Sequence, residues 1–184
     1  MKKTVLLLAA MLFVGFAGFA QSFEKGSQGI NVGLGLGPGW ATSAGFSIGV
    51  NGSYEYAIVE VPMGSTLTGV VGVGGMVGTC FSTRTYGVVD YHSMDYFIAA
   101  RGNYHFIFHD KFDPYASLVI GYRGYQDKYK DDGPEPAKTT YTGGDFRAGV
   151  VVGARYFFTD SFGAYAELGY LQNFLNIGVT FKID

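Results

Sequence analysis

Apolar and polar positions alternate with a period of two along most of the chain, which is the pattern of strands with two unlike faces. Near the start, Ile30, Val32, Leu34 and Leu36 alternate with Asn31 and glycines. Next, Phe46, Ile48, Val50, Tyr54 and Tyr56 alternate with Ser47, Asn51, Ser53 and Glu55. Further on, Tyr96, Ile98, Ala100, Tyr104 and Phe106 oppose Arg101, Asn103 and His105. Ala116, Leu118, Ile120 and Tyr122 then oppose Ser117, Gly121 and Arg123. Phe146, Ala148, Val150, Val152, Ala154 and Tyr156 oppose Asp145, Arg147 and Arg155. A short segment sets Ala164, Ala166 and Leu168 against Tyr165 and Glu167, and the last sets Leu175, Ile177, Val179 and Phe181 against Asn176, Thr180 and Lys182. A further segment, about Ser65 to Phe81, is apolar on both faces, and its Gly74-Gly75 pair reads as a bulge that shifts the phase. The pattern predicts eight strands.

Connectors alternate in length. Phe108–Asp113 and Phe158–Phe162 are tight turns, and the link from Ile58 to Ser65 is little longer. Two links at the other edge, 82–94 and 126–142, are longer and read as solvated loops, the second with Pro134, Pro136 and many charges. The links near Trp40 and Gln172 are short. Short turns at one rim and longer loops at the other define an up-and-down barrel.

A soluble barrel alternates too, so the decision rests on which face holds the charge. Here one face is Ile, Leu, Val and Ala with aromatics near strand ends, and the other carries Gly, Ser, Asn and full charges. An apolar exterior with a polar interior is the transmembrane arrangement; a soluble barrel inverts it. The expected lumen therefore holds an ion-pair network of Glu55 and Glu167 with some of Arg101, Arg123, Arg147 and Arg155. The fold class is an all-β, eight-stranded, antiparallel transmembrane β-barrel.

Composition agrees. The 184 residues include 29 Gly, 16 Phe and 14 Tyr, and only 15% are charged. That excludes a coiled coil and a disordered tail. A single Cys excludes an internal disulfide framework. A formal charge of −2 gives no footprint for nucleic acid. Lys2 and Lys3, then an apolar or small run from Val5 to Ala20, read as a signal peptide over 1–20, cut between Ala20 and Gln21. Residues 21–184 form the barrel domain, in the outer membrane of a Gram-negative cell.

In architecture the chain resembles the small outer-membrane β-barrels, the porin-like class with OmpX-like and OmpA-like transmembrane domains. The resemblance implies both termini on the periplasmic side and folding by the outer-membrane assembly machinery. That machinery reads a final strand alternating toward an aromatic, here Leu175-x-Ile177-x-Val179-x-Phe181, beyond which the chain continues Lys182-Ile183-Asp184. The surrounding partners are outer-membrane lipids.

Chemistry is sparse. His92-Ser93 with Asp90 and Asp95 is the one cluster that invites a nucleophile-and-base or metal reading, but neighbours on a strand point to opposite faces. No catalytic residue, metal or cofactor is expected. Eight strands leave an interior that side chains fill, which argues against free diffusion of solutes. The expected role is structural or interactive, through the two longer loops with Tyr86, Tyr91, Tyr125, Tyr129 and Tyr141. A narrow channel and a lipid-modifying enzyme are the alternatives.

Overall fold

In a computed structural model, residues 23–38, 46–63, 67–87, 89–131, 133, 137–170 and 172–184 are described. The expected signal segment, the Ala20–Gln21 cleavage position, Trp40, Pro134 and Pro136 lie outside them. The described residues form β1 (Gln28–Leu36), β2 (Ile48–Pro62), β3 (Thr68–Tyr86), β4 (Val89–Ile107), β5 (Phe112–Asp131), β6 (Ala137–Phe157), β7 (Phe162–Gly169) and β8 (Leu175–Ile183). Each strand pairs antiparallel with the next, and β1 pairs with β8 to close the ring. Closure runs the full length of both strands, from Gln28 opposite Ile183 to Leu36 opposite Leu175.

The period-two pattern maps onto the two faces of the wall. Large apolar side chains point outward and stay exposed, Leu118 at 70% and Phe146 at 79% among them. Asn31, Glu55, Arg101, His105, Arg155 and Glu167 point inward and are buried. Glycines on the inner face make room for this filling. A Cβ at Gly33 would run into the Tyr165 hydroxyl and the Ile177 carbonyl.

Two expectations are corrected. First, Gly74-Gly75 makes no bulge: β3 keeps one phase, with Gly72, Met76, Cys80 and Ser82 turned inward, and its pairing with β4 is unbroken. The irregularity lies on β2 between Ala57 and Val59, where Ala57 packs against Phe23 and Val70. Second, most of 82–94 and 126–142 is strand, since β3 pairs with β4 up to Tyr86–Val89 and β5 with β6 up to Asp131–Ala137. Above the apolar zone both faces of these strands are polar. The alternation therefore loses the contrast by which it is read.

The strands are unequal. β3, β4, β5 and β6 have 19, 19, 20 and 21 residues, whereas β1, β7 and β8 have 9, 8 and 9. β6 meets β7 only from Val151 down, and β2 meets β3 only from Phe81 down. The upper parts of β3–β6 therefore stand above the ring as a four-stranded blade, with one edge of β6 without a strand partner among the described residues over 137–149.

Gly33→Val should cost at least about 1–3 kcal/mol through overpacking at the β1–β8 seam. Folding gels, in which an intact barrel migrates faster before boiling than after, should show less folded protein; an undiminished fast band would refute the seam argument.

Candidate functional site

The inner face is built in layers. At the end with the short turns, four strands converge on one group. His105 of β4 places Nε2 2.6 Å from Glu55 Oε1 of β2 and Nδ1 2.7 Å from Asp113 Oδ1 of β5. Arg155 of β6 donates to Glu55 Oε2 and, at 3.4 Å, to Asp113 Oδ2. Both ring nitrogens thus meet a carboxylate, and each short contact needs a proton. The imidazole and two carboxyls therefore hold one proton more than a neutral ring between two ionised acids. With the Arg155 guanidinium the group sums to zero charge, which lets it stay buried. Phe23, ahead of β1, closes the floor: its ring centroid is 4.7 Å from that of His105 and 4.9 Å from Arg155 Cζ.

The second layer centres on Arg101 of β4. Its Nη2 donates to Glu167 Oε1 and to Ser117 Oγ, both at 2.8 Å, and its Nε donates to Asn103 Oδ1 at 3.0 Å. Tyr115 donates its hydroxyl to the same Glu167 oxygen at 2.7 Å. Above lies a partial apolar collar, Met76, Phe97, Ala99, Val119 and Val151 on β3–β6, while Asn31, Asn51, Ser53 and Asn176 turn polar groups inward on β1, β2 and β8. Sequence reading missed this collar, because its members look like ordinary strand hydrophobics.

Toward the mouth, Arg123 of β5 pairs with Asp95 of β4, and Ser93 donates to Asp127 Oδ1 at 2.6 Å and to Asp95 Oδ2 at 3.3 Å. Cys80, 1% exposed, points its thiol at Asp95 across 3.9 Å. Tyr91, Tyr129 and Tyr141 stack edge to face on the inner side of the blade, with centroids 4.8 and 5.5 Å apart.

The six charged residues read from phase therefore form no single network. Glu55 with Arg155, Glu167 with Arg101, and Arg123 with Asp95 make three separate buried sets. Arg147 is in none of them. It pairs with Asp145 on its own strand, its side chain 31% exposed, because β7 ends below it and leaves that stretch of wall open. The sequence reading does not foresee Asp95 and Asp113 as partners, since it puts Asp113 in a turn and Asp95 in the cluster with His92 and Ser93. His92 and Ser93 face opposite sides, His92 exposed and held 3.1 Å from the Thr83 hydroxyl, Ser93 buried inside. No group of three or more His, Cys, Asp or Glu among the described residues is placed to hold a metal ion.

A closed ring of eight antiparallel strands, apolar outside and polar within, defines a transmembrane β-barrel. The chain has the fold of the small eight-stranded outer-membrane barrels. It superposes on Ail, the attachment invasion locus protein of Yersinia pestis, with a TM-score of 0.53 at 13% identity, covering 86% of this chain and 99% of that one. Against the N-terminal β-barrel domain of Pseudomonas aeruginosa OprF the TM-score is 0.41 at 18% identity, covering 88% and 100%. The fold assignment rests on the first. No protein-family model matches the chain, and no curated protein matches it in sequence.

Glu167→Gln leaves the Arg101 guanidinium buried without its counter-charge, a loss of about 3–5 kcal/mol. Thermal unfolding in detergent should shift down accordingly, and Arg101→Met combined with Glu167→Leu should recover part of the loss. An unchanged melting temperature in Glu167→Gln would mean that the pair contributes nothing.

Proposed function

We propose that the protein is an exported, integral outer-membrane barrel of a Gram-negative cell, without catalytic turnover, that engages partners through its blade. The observation that carries this reading is the inequality of the strands. A bilayer is crossed by about 9–11 residues of tilted strand. β7 and β8 have 8 and 9, close to that need, while β3–β6 exceed it about twofold. The surplus lies opposite the short turns, the end that faces outward if both termini are periplasmic. It carries the segments 82–94 and 126–142, now as hairpin arms. A strand edge such as 137–149 of β6, without a strand partner among the described residues, can accept an extended segment from another chain through backbone hydrogen bonds.

The channel reading is disfavoured by the side chains that fill the lumen and by the buried charge pairs that cross it. The lipid-modifying reading is disfavoured by the opposed directions of His92 and Ser93. Insertion is favoured by the exposed band of Val, Leu, Ile and Phe around the wall.

The expected outcomes are direct. The protein should stay with the membrane through a carbonate wash and should shift its gel mobility on boiling. Planar bilayers should remain silent, and lipid A should be unmodified in cells that express the protein. Replacing residues 129–139 by Asn-Gly, so that Lys128 and Thr140 stay opposite each other, should spare the gel shift but abolish aggregation of displaying cells and their adherence to protein-coated surfaces. Steady conductance steps, an altered lipid A, or undiminished adherence would overturn the corresponding part of the proposal.

A further inference from the structure

The end of the barrel with the short turns carries a feature that is separate from the blade. Ahead of β1, Phe23 to Ser27 form a strap that turns under the ring and closes its floor. Phe23 is fully buried against Ala57 and Val70, with Ile107 packed beside them. Gly26 makes the turn at φ +98°, a left-handed backbone shape that favours glycine. Backbone bonds tie the outer part of the strap to β2: Gly26 N–H donates to the Ala57 carbonyl at 3.0 Å, and Ala57 N–H to the Ser27 carbonyl at 2.9 Å. Lys25 N–H donates to Glu60 Oε1 and Ser27 Oγ to Asp184 Oδ1, both at 2.8 Å. Phe23 lies beyond all of these, and what seats it is its ring.

That ring rests against two groups that carry positive charge. Its centroid is 4.7 Å from the His105 imidazole and 4.9 Å from Arg155 Cζ. The imidazole is positive only while the His105 group keeps its extra proton, since each ring nitrogen meets a carboxylate. With that proton Glu55, His105, Asp113 and Arg155 sum to zero, and without it they sum to −1. Its loss acts on Phe23 in one direction through two effects. The ring loses one of the two cations that attract its face. The buried group is left with an unanswered negative charge, which water admitted through the floor would relieve. The neighbouring elements offer no replacement among the described residues. β1 presents Gly29 to Arg155, and β3 presents Gly72 to Glu55. Tyr115 of β5, its ring 5.2 Å from that of His105, gives its hydroxyl to Glu167 of β7, which Arg101 already neutralises. Lys182 of β8 is paired with Asp184, and on the strap itself Lys25 is exposed and Glu24 half-buried.

We propose that the strap is a proton-held plug, closed over the inner mouth while the His105 group keeps its extra proton and swinging out about Gly26 when that proton leaves. Closure is therefore favoured at low pH and weakened as pH rises. The movement is confined to the floor. The layers above, from Arg101 to the mouth, keep their pairs, so the lumen stays filled in both states.

Trypsin reports the strap, because the bond after Lys25 lies within it. The folded full-length protein in detergent receives short trypsin pulses between about pH 6 and about pH 10, and mass spectrometry counts the chains that now begin at Gly26. Each rate is divided by that of Glu55→Gln at the same pH, which cancels the pH dependence of the protease. Glu55→Gln leaves Asp113 and Arg155 balanced beside a neutral imidazole, so its strap has no proton to lose. The wild-type ratio should rise about tenfold from the acid to the alkaline end, since cutting follows the open population. Asp113→Asn should behave as Glu55→Gln does, and serves as the reference if that variant folds poorly. Phe23→Leu keeps an apolar plug without an aromatic face, and should be cut about tenfold faster than wild type already at the acid end. A ratio that stays flat overturns the proposal, as does a Phe23→Leu strap cut no faster than wild type at the acid end. A rise seen only where the mobility shift on boiling is lost overturns it too, because that is unfolding of the whole barrel.

Discussion

Pairing of β1 with β8 is the contact on which the other features depend. In hydrocarbon a backbone amide has no water to turn to, so each ladder must find its partner within the protein. Both strands are short, and every residue of β1 from Gln28 to Leu36 has a partner on β8. That seam sets the height over which the ring is complete. Where it stops, β3–β6 go on alone, and their edges are no longer under the same constraint. The blade and its open β6 edge follow from the height of the seam.

Closure also decides the chemistry of the interior. A narrow ring leaves little room for water, so charges turned inward must be answered by charges from other strands. Glu55, His105, Asp113 and Arg155 come from four strands, so the group can assemble only once those strands are in register. Arg101 and Glu167 join β4 to β7 across the lumen. These contacts fix register from inside, while glycines such as Gly33 admit the tyrosines that fill the remaining space.

Much of this was legible in the amino-acid sequence, for a physical reason. Where one face meets lipid and the other a polar interior, the contrast between neighbouring residues is maximal, and the strands and their phase follow directly. That is why Glu55, Arg101 and Arg155 could be assigned inward. Legibility fails where the contrast fails. In 126–131, Gln126, Lys128 and Lys130 face out while Asp127 and Tyr129 face in, and polarity alone cannot separate them. It fails also along β3, where glycines stand on both faces, and in the collar, where Val119 and Val151 are apolar residues turned inward. Partner choice was hidden for another reason. Phase tells that Arg123 points inward, but which carboxylate it meets depends on strand register, which places Asp95 beside it.

The lone thiol gives this architecture a practical consequence. Cys80 is the only cysteine of the chain, and it is enclosed near the mouth beside Asp95, behind the wall of β3. A water-soluble thiol reagent cannot reach it while the ring is intact. Its rate of labelling is therefore a clock for excursions in which the upper wall parts, read on the native chain with no probe introduced.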